Sequence, residues 1–293
     1  MEVFGLKSQS LRYRMDGLGS VQLYLTPPDY FDLSPSPAPH RHLHAAAAMF
    51  TPVRQKTTLV VGASRGIGQE LVQQLAQQQP DGHVIASVRS GAVSDGGRPL
   101  PSNVRSLTLD PSSGKSVREA AGSVGALDTL IVHAAVEGPD EARLLGTSDE
   151  RMAEYMDVGV TGVLRVVKAF LPALRARPTR QIVLVSSTSG PPARQGDDTR
   201  PAAAAASRGG PYAVSRAALN MVAVQLHNEL HGSDGFTVVP IHPGGGATDT
   251  GRIAGEGGLS VAKSAAGILK VVGKLTPQNS ATFYNYDGTT LPG

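Results

Sequence analysis

The sequence predicts an α/β chain: one doubly wound parallel sheet with helices on both faces, preceded by a poorly structured N-terminal extension. Three observations carry this. From Thr57 onward, short and continuously apolar runs recur, as expected of strands buried on both faces. Between them lie segments whose apolar residues are three or four positions apart, the helical period. The first apolar run ends in a glycine-rich turn that opens directly into such a segment.

The elements follow in order. Thr58–Val61 is the first strand, and Ile67, Leu71 and Leu75 share one face of a helix over Ile67–Gln77. Val84–Val88, Val104–Leu109, Thr129–Val132, Gln181–Val185 and Phe236–Ile241 read as further strands, with Thr282–Tyr284 as the last. Glu150–Arg177 reads as helix at least as far as Pro172, Tyr212–Leu230 as a long helix and Val261–Lys274 as another. Strands separated by helices pair in parallel and are covered on both sides. Residues 57–293 are thereby one domain.

Residues 1–56 differ. They hold Thr26-Pro27-Pro28, the proline-rich run Ser34 to Pro39, the spaced histidines His40, His42 and His44, and four alanines from Ala45 to Ala48. We read this segment as a disordered or loosely packed extension, and the histidines as polar filler rather than a metal site. It lacks the apolar core of a secretory leader, and Glu2, Asp16, Asp29 and Asp32 argue against an organelle transit peptide. A cytoplasmic location is expected.

Composition narrows the function. The chain of 293 residues has no Cys, which excludes disulfides, cysteine-ligated metal centres and a cysteine nucleophile. Its 27 Lys and Arg against 24 Asp and Glu leave a formal charge of +3 without clusters, which argues against a nucleic-acid partner. No segment is long and apolar enough to span a bilayer, so no membrane partner is expected. No metal is expected either.

The turn after the first strand is Gly62-Ala63-Ser64-Arg65-Gly66-Ile67-Gly68. In a strand–turn–helix context this spacing is a dinucleotide fingerprint. Gly62 permits the tight turn, Gly66 lets backbone approach a pyrophosphate, and Gly68 lets the helix pack close to the sheet. Amides at the helix N-terminus, including those of Ser64 and Ile67, face the phosphate. Arg89 ends the second strand, where selectivity for NAD calls for an acidic residue on the ribose hydroxyls. With Arg65 inside the loop, two guanidinium forks favour a 2′-phosphate. The expected cofactor is NADP(H).

Further motifs lie where the sequence places the ends of later strands. Ser186-Ser187 follows the fifth strand, Tyr212-Ala213-Val214-Ser215-Arg216 opens the long helix, and Pro243-Gly244 follows the sixth strand. With the glycine loop, these resemble the short-chain dehydrogenase/reductase family, whose fold is a Rossmann-type sheet. The ending Phe283-Tyr284-Asn285-Tyr286-Asp287-Gly288 is similar to a subgroup of small carbonyl reductases. That subgroup includes C-factor-like, sniffer-like and fungal norsolorinic acid ketoreductase-like proteins. The resemblance covers residues 57–293.

The resemblance implies hydride transfer between a nicotinamide and a small carbonyl or alcohol substrate. It makes Tyr212 the general acid/base, Ser187 the residue that orients the substrate oxygen (Ser186 is the alternative), and Arg216 the electrostatic activator. Free tyrosine has a pKa near ~10, and a cation one helical turn away favours its ionised form. The resemblance also implies cofactor contacts from Asp110, Ala135, Pro243 and Thr248. Family members assemble through the helices beside the site, so a homo-oligomer, dimer or tetramer, is expected.

Three departures bear on activity. Arg216 stands where the family has lysine; it keeps the charge but passes on no proton. Gly159 stands where the family has an asparagine that supports a relay water. His133-Ala134-Ala135-Val136 replaces the family's Asn-Asn-Ala-Gly turn. Beyond Pro243, a glycine-rich segment to Gly258 reads as a substrate lid, and Gly190–Pro211 as a long surface loop near the site. Two readings therefore stay open: a reductase, or a nucleotide-binding protein with impaired catalysis and a regulatory or scaffolding role.

Overall fold

The computed structural model describes residues 11–15, 21–25, 55–90, 100–133, 136, 144–195, 209–245 and 259–293. The chain divides into two units, Met1–Pro52 and Val53–Gly293. In the first, β1 (Leu11–Met15) and β2 (Val21–Leu25) pair antiparallel, with Leu11 opposite Leu25 and Met15 opposite Val21. The reading of residues 1–56 as a disordered or loosely packed extension does not anticipate this hairpin. Even so, Leu11, Tyr13 and Met15 alternate with Arg12 and Arg14, the period of a strand.

The second unit is built on β3 (Thr57–Val61), β4 (His83–Val88), β5 (Val104–Thr108), β6 (Thr129–Val132), β7 (Gln181–Val185), β8 (Thr237–His242) and β9 (Tyr284–Asn285). They form a seven-stranded sheet in the order β5-β4-β3-β6-β7-β8-β9, with every neighbouring pair parallel. The order reverses between β3 and β6. In such a sheet, ligands bind at that reversal, beyond the carboxyl ends of the strands.

Helices link the strands: α1 (Gly66–Gln78), α2 (Gly114–Gly122), α3 (Asp149–Met156), α4 (Gly162–Arg175), the single turn α5 (Pro192–Gln195), α6 (Gly210–Asp234) and α7 (Val261–Val272). Side chains alternate between two cores. Leu59, Val61, Leu130, Val132, Ile182, Leu184 and Val238 pack with Val117, Phe170 and Leu219 on one face. Val60, Ile131, Val183, Val185, Val239 and Ile241 pack with Leu71, Leu75 and Ile268 on the other. This is why the strands read as unbroken apolar runs: each successive residue enters one core or the other.

Two features depart from the sequence reading. Helix α2 is an addition, capped by Ser113, whose hydroxyl accepts from the Ser116 amide. The stretch read as one helix from Glu150 is interrupted by a π-helical turn at Asp157–Thr161, although α4 does run past Pro172. Gly162 permits that turn, because a β-carbon there would stand 2.8 Å from the Asp157 carbonyl oxygen and 3.0 Å from that of Pro111. Arg165 fastens it, donating to the Pro111 carbonyl and, at 3.1 Å, to the Asp157 carboxylate.

The edge of the sheet opposite the strands' carboxyl ends is tied by Asp128, which is fully buried. Its carboxylate accepts from the Thr57 amide at 3.0 Å and the Thr179 hydroxyl at 2.8 Å. Among the described residues, no helix is long and apolar enough to cross a membrane.

Candidate active site

The glycine loop joins β3 to α1 at the point where the strand order reverses. Gly62 and Gly66 have φ of 86° and 58°, the left-handed region that glycine occupies without steric cost. Gly68 is fixed by contact: a β-carbon there would lie 2.0 Å from the Gly62 carbonyl oxygen. Ser87 of β4, not singled out from the sequence, holds the loop from the side. Its hydroxyl accepts from the Gly62 amide at 3.2 Å, and its carbonyl from the Ala63 amide at 2.9 Å. A serine inside the apolar run Val84–Val88 was the available signal.

The head of α1 differs from those of α2, α3 and α7, which serine hydroxyls cap. Arg65 stands at the α1 cap position and makes no side-chain cap hydrogen bond. The loop thus combines two left-handed glycines, a close approach only glycine allows, and a helix terminus with no side-chain cap. This suits an anionic phosphate group. Ser64, Arg65 and Arg89 are exposed around it, while Ile67 is buried as the first core contact of α1. Asp110 lies beyond β5; its carboxylate accepts from the Ser112 amide at 3.0 Å and the Ser112 hydroxyl at 2.7 Å. His133 extends the β3–β6 ladder, its amide donating to the Val61 carbonyl at 2.9 Å. Ala135 and Thr248 lie outside the described residues, as do most of the Gly190–Pro211 loop and the lid up to Gly258.

The second cluster joins β7, α6 and the π turn. Tyr212 stands in the first turn of α6, and Arg216 lies one turn further on the same face. Arg216 is only 2% exposed, and its guanidinium carbon is 5.1 Å from the centroid of the Tyr212 ring, within cation–π range. Its Nη1 donates to the Val185 carbonyl at 3.4 Å, and its Nε is buried without a hydrogen-bond partner. Among the described residues, no carboxylate pairs with it. Burial pushes the guanidinium down from its usual range, and the charge of an ionised Tyr212 pushes it back up.

The two serines after β7 are used differently. Ser186 donates its hydroxyl to Asn220 Oδ1 at 2.6 Å, so that proton is committed to α6. Ser187 Oγ accepts from the Ser189 amide at 3.1 Å, which leaves its own proton to donate. His242, at the end of β8, steadies the same turn: its Nδ1 accepts from the Thr188 amide at 3.3 Å. Pro243 is buried, and its carbonyl accepts from the Ser264 hydroxyl at 2.5 Å. Gly190 brings α6 close, since a β-carbon there would be 2.8 Å from the Arg216 carbonyl carbon. Neither His242, Gly190 nor Asn220 was assigned a role from sequence, because each acts through a contact distant in the chain. Among the described residues, no group of three or more His, Cys, Asp or Glu side chains is placed to hold a metal ion.

A parallel sheet with this strand order, a glycine cradle at its switch point and a Tyr/Arg pair heading α6 define a dinucleotide-binding α/β protein of the oxidoreductase kind. The chain belongs to the short-chain dehydrogenase family, whose sequence model matches residues 56–256. It is 31% identical over 261 residues to an uncharacterised oxidoreductase of Schizosaccharomyces pombe, covering 81% of this chain and 98% of the relative. It is also 31% identical, over 248 residues, to the 1-hydroxy-2-glutathionyl-2-methyl-3-butene dehydrogenase of a Rhodococcus species, covering 80% and 98%. Among solved structures, it is similar to the NADPH-bound carbonyl reductase from chicken fatty liver. That match has a TM-score of 0.68 and 26% identity, over 82% of this chain and all of the other.

Proposed function

We propose that the protein is an NADP(H)-dependent carbonyl reductase, moving hydride between the nicotinamide and a small carbonyl or alcohol. The observation that carries this is the buried Arg216 guanidinium held against the Tyr212 ring, one helical turn away. The NADPH carried by the chicken carbonyl reductase supports the choice of cofactor.

Ser64, Gly66 and Ile67 would offer their backbone amides to the pyrophosphate, in a loop that Gly62 and Gly68 shape; Arg65 and Arg89 would take the 2′-phosphate. The family resemblance assigns Asp110 and Ala135 to the adenosine side of the cofactor and Pro243 and Thr248 to the nicotinamide side. When bound, this cofactor supplies the hydride that reaches the carbonyl carbon. Ser187 donates to the carbonyl oxygen and holds it toward Tyr212. Tyr212 gives its hydroxyl proton to that oxygen as the C–O double bond becomes single. Arg216 stabilises the negative charge then left on the tyrosine oxygen. It keeps its own protons throughout, so Tyr212 is reprotonated from solvent. Alcohol oxidation runs the same steps backwards.

The test is a titration of NADPH and of NADH, followed by nicotinamide fluorescence, and then a panel of carbonyls. Micromolar NADPH binding, weaker NADH binding and NADPH oxidation by at least one carbonyl are expected. Loss of NADPH binding would end the proposal.

One observation favours a second reading. Gly159 brings no side chain to hold a relay water. This suits a nucleotide-binding protein with impaired catalysis, serving in regulation or as a scaffold. Tight NADPH binding without turnover of any carbonyl marks that case.

A further inference from the structure

Gly159 and Arg216, 57 positions apart in sequence, meet inside the molecule. A β-carbon built on Gly159 would lie 2.5 Å from Arg216 Nη2, and 3.5 Å from the Ser215 hydroxyl oxygen. Real β-carbons do not come that close to another heavy atom. The guanidinium therefore occupies volume that any side chain at position 159 would need.

The wall on which Gly159 sits is held in place. It is the π turn Asp157–Thr161, seated against Pro111 by the bare α-carbon of Gly162 and clamped by Arg165. On the far side, α6 is fixed against the β7 turn by the close approach of Gly190 to the Arg216 backbone. With both walls fixed, the outer end of the Arg216 side chain is what gives way if position 159 grows. The guanidinium is fully buried, so displacing it moves it from its place beside the Tyr212 ring and the Val185 carbonyl.

We infer that Gly159 is a positioning residue for Arg216: its missing side chain is the socket that seats the guanidinium beside Tyr212. The glycine at 159 and the arginine at 216 are one coupled feature rather than two separate losses. This inference rests on the proposed role of Arg216 for its catalytic consequence, but not for the steric coupling itself.

The test is a four-protein cycle of wild type, Gly159→Ala, Arg216→Lys and the double variant, each as the full chain. Alanine is a better helix former than glycine, so Gly159→Ala should fold, and Tm should move by no more than about 4 °C. If wild type turns over a carbonyl, the cycle is read in kcat. Gly159→Ala should lower kcat roughly 10–100-fold, the scale of a small misplacement at a reacting group, while carbonyl KM stays within about twofold. In the Arg216→Lys background, where a slimmer and shorter side chain leaves room, the same substitution should change kcat by no more than about twofold, the usual limit of additivity. Equal effects in both backgrounds, or none in either, would overturn the coupling.

If wild type turns over no carbonyl, the cycle is read in NADPH Kd from nicotinamide fluorescence. Non-additivity beyond about twofold then upholds the socket even though the reductase reading has failed. Additive Kd values discard the socket as well.

Discussion

Gly62 and Gly68 interlock: the carbonyl oxygen of Gly62 fills the space, 2.0 Å away, that a β-carbon on Gly68 would need. The obstacle is backbone, so it cannot rotate aside as a side chain could. Gly68→Ala is expected to destabilise the domain by about 3 kcal/mol, the upper end of overpacking costs. It should also deform the loop enough to remove NADPH binding. Urea denaturation and a fluorescence titration check the two effects.

Arg65, inside the loop, and Arg89, just after β4, are both exposed, so replacing them should leave folding unchanged. A charged hydrogen bond contributes about 1.5–3 kcal/mol. Arg89→Ala is therefore expected to weaken NADPH binding roughly 10–100-fold and to leave NADH binding nearly unaltered. A parallel loss for both cofactors would show that Arg89 does not meet the 2′-phosphate.

Asp128 offers a contrast, because it lies at the opposite edge of the sheet. Asp128→Ala leaves the Thr57 amide and the Thr179 hydroxyl without their buried acceptor. An unmet buried donor costs about 1–3 kcal/mol, so a loss near 3 kcal/mol is expected, with the NADPH Kd of the folded protein unchanged. Chemical denaturation with and without NADPH separates stability from binding.

Leu144 and Leu145 on one short turn, and Val214 and Met221 on α6, are exposed apolar side chains, with Leu145 wholly so. The turn packs against α6. If the protein assembles through the helices beside its site, this surface is the one buried. Light scattering after size exclusion should give a dimer or tetramer for the wild type. The double variant Leu145→Glu/Met221→Glu should give a smaller species.

The parallel sheet was legible because each central strand is buried on both faces, which writes unbroken apolar runs into the chain. The glycine loop was legible because its constraints are local: Gly62, Gly66 and Gly68 act on one another within seven residues. Helix α2 was not, since Val117 and Ala120 are its only buried apolar residues and leave almost no periodic signal. The break at Asp157–Thr161 was invisible for another reason. It depends on Pro111 and Arg165, which lie far from it or beyond it in the chain. Tyr212 and Arg216 could be paired by their spacing. That Gly159 makes room for Arg216 appears only when α6 is laid on the π turn.

The most direct test of the central claim is NADPH oxidation by the best carbonyl of a panel, compared between wild type and Tyr212→Phe. Phenylalanine keeps the ring beside Arg216 and removes only the proton donor. An unchanged NADPH Kd is expected, with a loss of kcat of roughly 10²–10⁴-fold, the usual contribution of a positioned acid. Turnover that survives in Tyr212→Phe, with NADPH still bound, would contradict it.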